Sequence, residues 1–139
     1  MVAAAYLHDI GYAPSLKKTG FHPLDDACCL RSLGYDRLAS LVAYHSGACF
    51  EAHLRGYDAE LHEFPRERSA IADALTYCDM TTGSTGERVS LKERTADIFH
   101  RYGETDIVAQ AHRQSLPSVS LAVARTCRRL RRHGFIVHS

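Results

Sequence analysis

The chain carries almost no surplus of charge of either sign: 17 Lys and Arg stand against 16 Asp and Glu, a net charge of +1. That balance excludes a global basic field of the kind that draws a protein onto nucleic acid or an anionic membrane, so electrostatic recognition has to be local. No apolar run approaches the ~20 residues needed to span a bilayer. No basic region precedes the apolar residues at the N-terminus, so neither a membrane segment nor a signal peptide is expected. The five cysteines, Cys28, Cys29, Cys49, Cys78 and Cys127, are odd in number and none is spaced as CxxC. Cys28 and Cys29 are adjacent, a poor disulfide geometry, so the set reads as reduced, mostly buried thiols and the chain as cytoplasmic. Convincing alternating strands, internal repeats and low-complexity segments are also missing. An all-α fold remains. At 139 residues the length suits one domain, 1–139, with a continuous core and no need of a structural metal.

What is present is organised around Ala3-Ala4-Ala5-Tyr6-Leu7-His8-Asp9-Ile10-Gly11. A small apolar helical run delivers a histidine and an aspartate side by side and then stops at a glycine. Adjacent side chains diverge by about 100° on a continuing helix, so the pair shares one ion most easily where the helix unwinds, near Gly11 and Pro14.

A polar, basic loop from Gly11 to Phe21 follows, and His22-Pro23 opens a helix running to a stop at Gly34. Asp36 reads as the N-cap of the next. From it Leu38, Leu41, Val42 and His45 follow the i, i+3, i+4, i+7 pattern, which turns His45 inward just before Gly47. Residues 49–65 hold one or two helical turns. A helix over about Glu67 to Met80 carries Leu75 and Asp79 on one apolar face. Ser90 and Glu93 form a capping-box pair for a helix to Tyr102. Two more helices are expected, about Asp106 to Gln114 and Ser118 to His133.

Most histidines on helices are structural, and His53, His62, His100, His112, His133 and His138, among polar neighbours, read that way. Asp79 is different. Burying a carboxylate on an apolar stripe costs several kcal/mol unless it is paired or holds a cation. Imidazole and carboxylate together suit zinc, manganese, iron or magnesium, and a site with positions open to water is the usual hydrolytic design.

The order Leu7-His8-Asp9-Ile10-Gly11, then His22-Pro23 opening a helix, then His45 before Gly47, then Asp79 before Gly83, resembles the HD-domain metal-dependent phosphohydrolases over about residues 1–100. The resemblance implies a compact HD-domain-like helical bundle. The core of that bundle is expected over about 1–100, and the helices over about 105–133 are read from the residues beyond the resemblance. The resemblance implies a divalent metal ion (Mn, Fe, Zn, Mg or Co) and hydrolysis of a phosphoester or phosphoanhydride in a small phosphorylated substrate, expected to be a nucleotide. It implies His8, Asp9 and Asp79 as metal ligands, with Asp9 also orienting or deprotonating the attacking water. Asp73, in an Ala72-Asp73 pair of the family's type, is set aside because Asp79 is the aspartate on the inward stripe. His22 and His45 match histidines that bind a second metal or contact the substrate phosphate. Lys17 and Lys18, close in sequence to these ligands, are candidate phosphate contacts. The arginines Arg125, Arg128, Arg129, Arg131 and Arg132 sit on an amphipathic helix with Leu121, Ala124, Cys127 and Leu130, so nucleic acid is not the expected partner.

One part of the family's pattern is absent. Its first ligand is a histidine on a helix upstream of the doublet, and none of the seven residues before His8 is a histidine. Three explanations stay open: a shortened form of a longer chain, a metal held by the remaining ligands, or a catalytically silent module that keeps the fold and binds a nucleotide. The first is expected, because an HD fold without its leading helix exposes the apolar faces of others.

Overall fold

The computed structural model describes residues 1–137, so His138 lies outside the described residues. Eight α-helices form: α1 (Val2–Leu7), α2 (His22–Ser32), α3 (Asp36–Ala43), α4 (Ala48–Arg55), α5 (Asp58–His62), α6 (Ala70–Met80), α7 (Leu91–Tyr102) and α8 (Ile107–Arg132). Among the described residues no β-strand forms, only an isolated bridge between Thr82 and Arg88. None of the helices is long and apolar enough to cross a membrane.

Local chemistry sets several boundaries. Pro23 occupies the first turn of α2, where its missing N–H costs nothing. The Ser69 hydroxyl accepts from the Ala72 N–H and starts α6, three residues later than the Glu67 start expected. Ser90 and Glu93 form the expected capping box, each satisfying the other's backbone N–H. Asp36 is the first residue of α3 rather than its N-cap, and Tyr35 takes the cap position.

The largest departure is α8. One helix of 26 residues runs through Pro117 where two were expected. Pro117 removes one backbone hydrogen bond, to the carbonyl of Arg113, but both residues face solvent, where water can take that carbonyl. The buried face of α8 is also rotated from the expected stripe: Val119, Ala122, Val123, Thr126 and Cys127 are buried, whereas Leu121 and Ala124 are exposed.

Side chains of α2, α3, α4 and α5 form one cluster around Phe21, Leu24, Leu30, Val42, Ala52, Leu61 and Phe64. A second joins Tyr77 and Met80 of α6 to Ile98 of α7 and Val119, Val123 and Cys127 of α8. Ala4, Leu41 and Leu75 close a third, which seats α1 against α3 and α6. All five cysteines are free, but only Cys127 is buried, the other four being half-buried. The candidate site residues His8, His45 and Asp79 follow or end the helices α1, α3 and α6 that these clusters join.

Candidate metal centre

The doublet sits where the chain leaves α1. His8 keeps helical backbone angles (φ −70°, ψ −12°), Asp9 does not (φ −121°, ψ 10°), and a 3-10 turn over Ile10–Tyr12 follows. The break brings adjacent side chains together, with His8 Nε2 3.4 Å from Asp9 Oδ2. Gly11 permits it: a Cβ there would lie 2.7 Å from both the His22 carbonyl oxygen and Asp26 Oδ1, so only glycine closes the turn onto the start of α2. Asp25 gathers the loop beyond, accepting from the backbone N–H of Lys18 at 3.1 Å and of Thr19 at 3.0 Å.

Through this packing α2 presents His22, whose Nε2 is 3.3 Å from Asp9 Oδ1 and whose ring stacks on Tyr12 at 4.2 Å. His45 arrives differently from the helical stripe expected of it. α3 ends at Ala43, and His45 begins a 3-10 turn in which Ser46 takes φ 49° and Gly47 φ 78°. A left-handed serine costs of order 1 kcal/mol or more, so the turn needs external support. Ser46 finds it on α6: its N–H donates to Thr76 Oγ1 at 3.3 Å and its hydroxyl donates to Asp79. His45 is buried, as the periodicity anticipated. Asp79, in the last turn of α6, has Oδ1 3.7 Å from His8 Nε2 and 3.8 Å from the Arg94 guanidinium.

The histidines are oriented from behind. His8 Nδ1 donates to the Ala5 carbonyl at 2.9 Å and His45 Nδ1 to the Val42 carbonyl at 2.6 Å. Each ring therefore turns Nε2 into the donor group, the nitrogen that ligates a metal once it is unprotonated. His22 Nε2 meets His45 Nε2 at 3.4 Å. His8, Asp9 and His45 each offer a ligand atom within 4.8 Å of the others. His45, matched by the resemblance to a second-metal or substrate role, thus stands in one donor group with His8 and Asp9.

Protonation follows the same geometry. Burial disfavours charge on His8, but Asp79 and then Asp9 outweigh it and push His8 up to about 9. Burial and the neighbouring His45 take His22 down to about 3, and burial lowers His45 too. Asp79 is held well below the carboxylate range: burial opposes ionisation, but the hydrogen bond from His8 and the nearby His45 overcome it. The group thus favours one positive charge between two carboxylates, with two neutral imidazoles facing it. Neutral imidazole and ionised carboxylate are the ligating forms, so a divalent cation would take the place of the His8 proton between the same carboxylates.

A cavity of about 430 Å³ opens beside these donors. Asp9, Tyr12, His22, His45 and Asp79 form one side of it, and Arg94, Arg101 and His112 contribute to the other. Lys17 and Lys18 are exposed and do not line it, so the cationic groups in the wall are the two arginines of α7. These had a signal in the sequence, since Arg94, Ile98 and Arg101 share a helical face at i, i+4 and i+7. His112 follows the same rule with Val108, Ser115 and Val119, and it is buried with Nε2 3.0 Å from Thr95 Oγ1. Asp73 is apart from this group, bound to Arg125 and Arg129 at 2.7 and 2.8 Å. Comparisons of the chain with protein-family models, with curated proteins and with solved structures give no match.

Proposed function

We propose that the chain is a metal-dependent hydrolase of a phosphoester or phosphoanhydride, of the HD-domain type and acting on a nucleotide. The observation that carries this reading is the convergence of His8, Asp9, His45 and Asp79, the last three of which line a cavity that Arg94 and Arg101 also line. A divalent cation supplies Lewis acidity toward a phosphoryl oxygen and acidifies water.

The chain's own residues account for the rest. Asp9 is the open carboxylate, its side chain 55% exposed against 14% for Asp79, so it is the group that meets water and can take its proton. Asp79, locked by His8, Ser46 and Arg94, holds rather than exchanges protons. His22, neutral and fixed between Tyr12 and Asp9, orients a donor or acceptor at the cavity mouth. Arg94 lines the cavity, and its guanidinium suits a phosphate oxygen. Arg94 and Arg101 then offset charge that develops on a transferring phosphoryl group.

The test is metal analysis of the purified chain followed by turnover assays on nucleoside mono-, di- and triphosphates, dinucleoside polyphosphates and a generic phosphodiester, with several divalent metals. Metal-dependent hydrolysis that disappears in His8→Ala is the expected result. A substrate that binds and raises the Tm but stays intact would favour the silent module instead.

A further inference from the structure

The His45–Gly47 turn has a second face. Behind it lies another cavity, of about 630 Å³, enclosed by α3, the segment before α6, the first turns of α6 and the middle of α8. His45 and Gly47 line both cavities.

Four arginines line the second one, Arg66, Arg68, Arg125 and Arg129, against the carboxylates of Glu67 and Asp73. Glu67 is already committed, accepting from Arg37 at 2.9 and 3.0 Å and from the Ser69 hydroxyl at 2.5 Å. Arg125 and Arg129 share the single carboxylate of Asp73. Two guanidinium groups on one carboxylate leave a surplus positive charge. Arg66 and Arg68 take part in no ion pair among the described residues and add to that surplus. The start of α6, the positive end of a helix of 11 residues, lies in the same wall. A chain whose net charge is only +1 therefore concentrates uncompensated cation around one concave space.

We propose that this cavity is a second binding site, separate from the metal centre, for a phosphate-bearing anion. Guanidinium groups match phosphate oxygens in pairs, and several of them around one space suit a polyphosphate better than a single carboxylate. The Tyr44 ring, with the Arg66 guanidinium 5.5 Å above it, adds a flat surface that a nucleoside can use and an inorganic polyphosphate cannot. The wall is also connected to the metal centre. Thr76 lines the second cavity and accepts from the Ser46 N–H, and the Ser46 hydroxyl binds Asp79. An occupant thus rests against the turn that carries His45.

Calorimetric titration of the full chain, stripped of metal by chelator and at low ionic strength, tests the site with inorganic triphosphate and a nucleoside triphosphate as separate probes. The double variant Arg66→Gln/Arg68→Gln alters two exposed side chains and should weaken binding about tenfold or more. The variant Arg128→Gln/Arg131→Gln, which removes two exposed guanidinium groups of α8 outside this cavity, should change it by no more than about twofold. Arg68→Glu gives an independent check by reversing one charge, and should weaken binding further than neutralisation of that residue does. Tighter binding of the nucleoside form would assign the Tyr44 face to the base, and equal binding would assign recognition to the phosphates alone. The opposite ranking of the two double variants, or no binding of either probe at millimolar concentration, would overturn the proposal.

Discussion

Gly11 and Asp26 are held in direct contact: the Gly11 N–H donates to a carboxyl group that is fully buried on α2, and a Cβ on Gly11 would lie 2.7 Å from it. This one contact fixes where the doublet stands relative to His22, because the same Cβ would meet the His22 carbonyl. Gly11→Ala should therefore cost about 1–3 kcal/mol of stability and weaken metal binding, since overpacking at this point pushes His8 and Asp9 away from α2. Thermal melting and metal content after gel filtration check it. Unchanged metal content would show that the donors do not depend on this contact.

Asp26 makes stability depend on pH in an unusual direction. Burial pushes its carboxyl from 3.8 up to about 8, opposed only in part by the Gly11 N–H, and its Oδ2 is buried without a partner. The folded chain then binds a proton that the unfolded chain releases. Stability from this group is complete below the unfolded pKa and declines as pH rises toward 8, with a limiting slope of about 1.4 kcal/mol per pH unit. Asp26→Asn keeps an oxygen acceptor for Gly11 and removes the titration. Its Tm should exceed that of the native chain at pH 8 and approach it at pH 5; parallel pH profiles would refute the assignment.

The two aspartates of α6 separate structure from chemistry. Asp79 faces His8, whereas Asp73 bridges α6 to Arg125 and Arg129 of α8. Asp79→Ala should abolish metal retention. Asp73→Ala should leave metal content intact while lowering the Tm, through loss of a bridge that is partly screened and worth about 1 kcal/mol. Elemental analysis alongside melting distinguishes them, and metal loss in the Asp73 variant alone would reverse the roles.

Helical periodicity made much of this legible in the sequence. The inward position of Asp79 and the Ser90–Glu93 capping box follow from spacing, because spacing on a helix decides facing, whereas His45 is buried as expected but by a turn rather than by the helical stripe. What spacing does not encode is how one helix end meets another helix. The 3-10 turns at Ile10–Tyr12 and His45–Gly47 exist because Gly11 packs on α2 and Ser46 is tied to α6, contacts between residues distant in sequence. Pro117 reads locally as a helix break, yet packing of Val119, Val123 and Cys127 against α6 and α7 carries α8 through it. Lys17 and Lys18 are near the doublet in sequence but outside the cavity, while Arg94, Arg101 and His112 reach it from far along the chain.

That exchange of arginines for lysines is open to experiment. If the α7 arginines contact the transferring phosphoryl group, Arg94→Gln should retain its metal and lose turnover equivalent to about 2–4 kcal/mol of transition-state stabilisation. Arg94 also lies 3.2 Å from Asp97 and 3.8 Å from Asp79, so metal content must be measured in the same preparation. Arg101→Gln, whose partner is the exposed Asp97, should show a smaller loss expressed mainly in KM. Lys17→Ala/Lys18→Ala should leave both constants within about twofold, because two exposed ammonium groups outside the cavity are screened from the reacting atoms. His8→Ala should lose metal and turnover together. A double lysine variant that loses activity while Arg94→Gln keeps it would return the phosphate contact to the loop, and would require that loop to close over the cavity in the bound state.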